Sequence, residues 1–273
     1  MQFTKYEAAG NDFIVVDARK NPQDYVFCQH HACRLCDRHF GIGADGILVI
    51  TQTISDLKDT SMNAAMHVIN SDGSVAAMCG NGIRCVARHL YEYDGISTNC
   101  TLRIGTLGGM QQVNCLDVSD EYWYIEVILQ RAVLGQICKI TQNGRFWCGQ
   151  CVDVGNPHAV FEIDSDPRDA LQIAGEFLSN HETFPDRCNI EFIHALDERT
   201  LDFTVYERGA GPTLACGTGC VAAATAFAHH HDLKGQTIEI HAPGGILKVI
   251  VPLDPAEPPH LIGPARRVFW GNV

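Results

Sequence analysis

Residues 216–228 read CGTGCVAAATAFA, and residues 79–91 read CGNGIRCVARHLY. Each is a cysteine, a Gly-x-Gly turn and an apolar run at helical spacing, so each predicts a helix opened by a cysteine. In the earlier run Ile83, Val86, Ala87 and Leu90 share one face, whereas the later run is apolar nearly all round and predicts a buried helix. Working outward, residues 10–17 read GNDFIVVD and residues 155–164 read GNPHAVFEID, in both cases a Gly-Asn turn leading into a strand. The members of both pairs lie about half a chain length apart, which implies a duplicated unit. Strand signals such as GILVI (46–50), YWYIEVIL (122–129), LDFTVYE (201–207) and TIEIHAPGGILKVIV (237–251) outnumber the helices. The expected fold is α/β (α+β), with two pseudo-symmetric domains, each a strand-rich layer wrapped around a central helix. Residues 1–117 plus 264–273 are expected to form the half carrying Cys79, and residues 118–263 the half carrying Cys216.

At 273 residues the chain is long enough to bury a substantial core in one or two domains. Its formal charge of −12 excludes the clustered cations that phosphate backbones require, so nucleic acid is not an expected partner. No apolar run approaches the roughly 20 residues of a bilayer span, and the start MQFTKYEAAGNDF lacks a basic and an apolar leader segment. A cytoplasmic location and no membrane partner are expected. The 13 cysteines are odd in number and scattered, which reads as reduced thiols, with Cys28, Cys100, Cys115 and Cys188 as small core hydrophobes. The CxxC pairs Cys33/Cys36 and Cys148/Cys151 are too far apart for a ribbon-type zinc site. GIGADG (41–46) precedes a strand instead of following one, the reverse of a dinucleotide turn. His229, His230 and His231 read as solvated residues at a helix end.

A cysteine placed just before a helix lies in the field of free backbone N–H groups, which favours an anion and lowers a thiol pKa from about 8.5. The same N–H groups can hold a carboxylate, and glycine lets it approach closely. If both halves present such a terminus to one amino acid, one thiolate can remove the α-proton while the opposite thiol supplies another. That chemistry needs fixed dipoles for the developing negative charge and neither metal nor pyridoxal, so no cofactor is expected. Cys79 and Cys216 are the candidate catalytic pair.

With GNDF (10–13), DRHFGIGADG (37–46), NSDGSVAAMCGNGIRC (70–85), GNPHAV (155–160), NIEF (189–192) and YERGAGPTLACGTG (206–219) in order, the chain resembles the diaminopimelate epimerases nearly end to end. The resemblance implies a cofactor-independent isomerase of lysine biosynthesis that interconverts LL- and meso-diaminopimelate. It implies that the backbone of Gly80, Asn81, Gly217 and Thr218 holds the reacting carboxylate. It further implies Asn11, Asn70, Asn156 and Asn189 as substrate-binding amides, Arg208 on the remote carboxylate, Glu207 on an amino group, and His158 as a polar neighbour of the cysteines. Bidentate recognition by Arg208 suits that remote carboxylate.

Three positions depart from the family pattern. Ala9 stands where a glycine is usual and implies a different loop conformation there. Pro212 replaces an acidic residue, and Gly46 a glutamine found in some members. The rival readings are a racemase of another amino acid on the same scaffold and a non-enzymatic thiol or zinc protein. Arg208 with Asn70 and Asn189 favours a substrate with two charged head groups. A homodimer is left open.

Overall fold

Asn11–Asp17 (β2) and Gly46–Thr51 (β3) carry unbroken buried runs, Phe13–Val16 and Gly46–Ile50, because this parallel pair is covered on both faces. One cover is the helix Gln23–Cys36 (α1), and the other is Gly80–Tyr93 (α2). The computed structural model describes residues 1–54 and 61–273. The chain divides by packing into one unit of Met1–Val127 with Gly263–Val273 and a second of Ile128–Ile262.

The first unit begins with β1 (Gln2–Ala8), antiparallel to β2, and continues through α1, β3, β4 (Ala64–Asn70) and β5 (Val75–Ala76) into α2. β6 (Leu102–Thr106), β7 (Gly109–Val118) and β8 (Trp123–Ile128) follow. β3 pairs antiparallel with β4, β4 runs parallel to β6, and β6 returns antiparallel as β7.

After β9 (Val133–Gln142) the second unit repeats that order. β10 (Arg145–Asp153) and β11 (Pro157–Glu162) lead to α3 (Pro167–Ser179), β12 (Asn189–Ala195), β13 (Thr200–Glu207), β14 (Gly211–Thr213) and α4 (Gly217–His230). β15 (Thr237–Ala242) and β16 (Gly245–Ile250) complete it, and β17 (His260–Asn272) carries the chain back into the first unit, where it runs antiparallel to β1. The pairings recur as well: β10 antiparallel to β11, β11 parallel to β12, β12 antiparallel to β13, β13 parallel to β15, and β15 antiparallel to β16. Even the register is shared, with Phe13 opposite Gly46 in one unit and His158 opposite Asn189 in the other.

Each unit wraps its strands around one helix, as the duplicated motif predicts. α2 packs against β1, β2, β3, β4 and β7, and α4 against β10, β11, β12, β15 and β16. α1 and α3 cover the opposite faces, closing outer clusters that include Ile14, Ile47 and Leu35 in one unit and Phe161, Phe192 and Leu178 in the other. Each of these side chains contributes about 1.5–3 kcal/mol by leaving water.

α2 departs from its one-faced stripe, because it is buried all round from Gly80 to Tyr91, including Arg84 and Arg88. The guanidinium donors are absorbed by backbone and side-chain oxygens: Arg84 reaches Gly80 O and Pro264 O at 3.0 and 3.2 Å and Asn81 Oδ1 at 2.8 Å, and Arg88 reaches Ala265 O at 2.7 Å and Glu92 Oε1 at 3.0 Å. A buried cation satisfied in this way costs far less than a bare one. Two cysteines also correct the reading of them as core residues. Cys28 and Cys188 are buried, but Cys115 is half-buried and Cys100 is exposed in the turn after α2.

Candidate active site

Gly80 and Gly217 are the first residues of α2 and α4, which makes Cys79 and Cys216 their N-caps. Both cysteines have extended backbone, and their sulfurs accept from the helix: Gly82 N–H donates to Cys79 Sγ at 3.3 Å, and Gly219 N–H to Cys216 Sγ at 3.4 Å. Sulfur here takes the place of a serine or aspartate oxygen at a helix start. The glycines make room for it. A side-chain carbon at Gly82 would lie 2.9 Å from Leu48 Cδ2, and one at Gly219 would lie 2.8 Å from Glu191 Oε1.

Cys79 is half-buried, whereas Cys216 is only 7 % exposed. Burial pushes the Cys216 thiol well above its ordinary range, and the nearby carboxylates of Glu207 and Glu191 push the same way. Thr218, whose hydroxyl lies 3.4 Å from the sulfur, and the Gly219 N–H pull against them without prevailing. Burial and two acidic neighbours thus act against the lowering that the helix-start setting predicts for Cys216.

In the first unit Cys79 is followed by Gly80 and Asn81, and the Asn81 side chain is linked to Asn11. Asn81 is buried and accepts at Oδ1 from Arg84 Nη2 at 2.8 Å. Its own amide nitrogen lies 3.4 Å from Asn11 Oδ1, and Asn11 in turn donates to Asp45 Oδ2 at 2.5 Å. Asp45 also takes Asp12 N–H and an arm of Arg38, which ties the 37–46 loop to the start of β2. Asn70 ends β4 and donates to Ser74 Oγ at 2.9 Å.

In the second unit Cys216 is followed by Gly217 and Thr218 and lies near Glu207 and Glu191, with Asn156 just before β11, His158 on it, Asn189 on β12 and Arg208 just after β13. His158 is buried on β11, with Nδ1 2.7 Å from Glu191 Oε1 and Nε2 3.1 Å from Asn156 Oδ1. Asn189 opens β12 and accepts at Oδ1 from the Arg208 backbone N–H at 2.8 Å. Glu207 accepts from Thr213 Oγ1 at 2.5 Å, and Arg208 reaches out to Asp186 O at 3.1 Å. Pro212 pairs beside Tyr206 in the short β14 that carries Thr213 to Glu207, so the strand forms without an acidic residue there.

Sequence reading missed Asp45, Arg84 and Glu191. Asp45 lies inside a quoted motif, but Arg84 looks like a surface cation on a helix and Glu191 like an outward residue of the alternating strand NIEF. Ala9 corrects a further expectation. Its φ is +52°, in the left-handed region, followed by Gly10 at +79°, so the turn takes the glycine-type conformation although alanine occupies it.

A family model described as diaminopimelate epimerase matches residues 3–133 and 150–268. The chain belongs to the diaminopimelate epimerase family. A family member from Nostoc punctiforme is 36 % identical, with 100 % of this chain and 99 % of that protein covered. Another, from Pelotomaculum thermopropionicum, is 35 % identical over 100 % of this chain and 98 % of its own length. Among solved structures, a phenazine biosynthesis protein of the PhzF family from Bacillus anthracis superimposes with a TM-score of 0.77 at 14 % identity, covering 100 % of this chain and 98 % of that one. A hydroxyproline epimerase from Agrobacterium vitis with bound trans-4-hydroxy-L-proline gives 0.69 at 15 % identity, with 100 % and 90 % covered. At such identities these two speak for a shared fold with the epimerase family.

Proposed function

We propose that this protein is an isomerase of lysine biosynthesis that inverts an α-carbon of diaminopimelate between the LL and meso forms, with Cys79 and Cys216 as its two proton-transferring groups. The observation that carries the reading is the repeated N-cap: a cysteine sulfur and a set of helix-start N–H groups in each unit, with full-length family membership behind it.

One sulfur, as thiolate, takes the α-proton and becomes S–H. The electron pair left on carbon spreads onto the adjacent carboxylate, whose charge the N–H groups of Gly80, Asn81, Gly217 and Thr218 stabilise. The other sulfur, as thiol, gives its proton to the opposite face and becomes thiolate. One proton is lost and one gained, with no change in oxidation state. Burial and the two acidic neighbours favour the proton-bearing form of Cys216, which suits it to the donor half of the cycle.

Asn11, Asn70, Asn156, Asn189, Glu207, Arg208 and His158 complete the site in this reading, the Arg208 guanidinium taking the remote carboxylate and Glu207 an ammonium group. The test is a panel of single stereoisomers, LL- and meso-diaminopimelate, histidine, proline, hydroxyproline and lysine, incubated with purified protein and resolved by chiral chromatography. Conversion confined to diaminopimelate is the expected result; inversion of a one-headed amino acid in its place would overturn the substrate assignment.

A further inference from the structure

Glu191 is the most deeply buried carboxylate of the second unit, with a side chain wholly withdrawn from solvent. One oxygen faces His158 Nδ1, and the other has no hydrogen-bond partner among the described residues. Burying a carboxyl in this way is costly unless the position returns something. The duplicated unit shows that the fold does not ask for it. Because Phe13 and His158 hold the same register position, Leu48 corresponds to Glu191. Leu48 lies beneath Gly82 just as Glu191 lies beneath Gly219. The same place in the same architecture is thus filled once by an apolar Leu48/Phe13 pair and once by Glu191/His158.

Donor counting gives the polar pair its role. Asn156 Oδ1 can only accept, so His158 Nε2, 3.1 Å away, carries a hydrogen. The 2.7 Å contact between Nδ1 and Glu191 holds one more proton. With its oxygen engaged, Asn156 has its N–H2 left to offer. The corresponding Asn11 is held the other way, by its N–H2 on Asp45, leaving its oxygen toward Asn81.

We propose that Glu191 is a positioning residue of the substrate site: its carboxyl fixes the His158 ring with Nε2–H toward Asn156, which turns the Asn156 amide so that its N–H2 meets a carboxylate of the substrate. The chain Glu191–His158–Asn156 lies beneath the helix start that carries Cys216, with Glu207, Cys188 and Cys216 as the other titratable groups that interact with Glu191. It gives two asparagines at equivalent positions opposite hydrogen-bonding sense, one donating and one accepting. The substrate part of this inference rests on the epimerase reading; the ring geometry does not.

The test compares Glu191→Leu, which copies Leu48, with Glu191→Gln, which keeps a hydrogen-bonding partner at Nδ1. Glu191→Leu is expected to raise KM for diaminopimelate about 10- to 100-fold, the range for a lost hydrogen bond to a charged group. Glu191→Gln is expected to stay within about threefold of the parent. Long-range ¹⁵N–¹H spectra of the imidazoles, taken without substrate, are expected to show Nε2 of His158 protonated in the parent and in Glu191→Gln, and a mixture of tautomers in Glu191→Leu. Should Glu191→Leu fold poorly, the double variant Glu191→Leu/His158→Phe reproduces the Leu48/Phe13 pair, and its KM is expected to match that of His158→Phe alone. An unchanged KM in Glu191→Leu, equal losses in Leu and Gln, or a double variant worse than His158→Phe would overturn the proposal. A His158 Nε2 that remains protonated in Glu191→Leu would overturn it even if no amino acid proved to be a substrate.

Discussion

The backbone N–H of Gly219 donates to the sulfur of Cys216 at 3.4 Å, so this thiol caps a helix as well as occupying a reactive position. The two duties separate on substitution. Cys216→Ser keeps a capping oxygen and is expected to retain stability within about 0.5 kcal/mol, whereas Cys216→Ala is expected to lose about 1 kcal/mol. Urea denaturation of both variants measures the difference, and equal stability of Ser and Ala would show that the cap is idle.

Ala9 is held at a φ of +52°, where an L side chain crowds its own carbonyl. Ala9→Gly relieves that crowding but loosens the unfolded chain, for an expected net gain of about 0.5–1 kcal/mol. A higher midpoint in urea is the expected result; a lower one would show that the alanine methyl contributes packing that outweighs its strain.

Arg84 is wholly buried, with its fork on Gly80 O, Asn81 Oδ1 and Pro264 O. Arg84→Met fills similar space but strands those acceptors, for an expected loss of about 3 kcal/mol or more. The same change frees the Asn81 side chain at the start of α2, so KM should rise along with the loss of stability. Thermal melting and steady-state kinetics check both effects, and a KM unmoved in a folded variant would detach Arg84 from the site.

Burial pushes the thiol of Cys36 up to about 11, and burial with the nearby Asp24 pushes that of Cys28 up to about 12. Both folded values lie above the value near 8.5 of an exposed thiol, so the folded state binds the proton more tightly than the unfolded one. The stability that this contributes is complete below about pH 8.5 and drains away as the pH rises toward 11–12. With reductant present, the urea midpoint should fall steadily between pH 9 and 10.5, and Cys28→Ala/Cys36→Ala should flatten the slope. A midpoint that is level over this range in the parent would contradict the burial argument.

The parts of this molecule legible in the sequence are those that local chemistry dictates. A cysteine before Gly-x-Gly and an apolar run can hardly be anything but a helix start, and its recurrence half a chain later carried the duplicated fold with it. What escaped depends on partners distant in sequence. Arg84 and Arg88 look solvated on a helical wheel until carbonyls at Pro264 and Ala265 are brought to them. The weakened acidity of Cys216 could not be read from CGTG, because it comes first from burial and then from Glu207 on β13 and Glu191 on β12. Glu191 was hidden by strand alternation, which assigns a polar residue to solvent unless a neighbour such as His158 is known to face it.

Proton exchange at the substrate α-carbon tests the two-thiol mechanism most directly. LL-diaminopimelate followed by ¹H NMR in D₂O should lose one α-proton signal as the meso form accumulates with the parent protein, whereas Cys79→Ser and Cys216→Ser should each form no detectable meso product. Continued inversion in either serine variant would contradict a mechanism that requires both sulfurs.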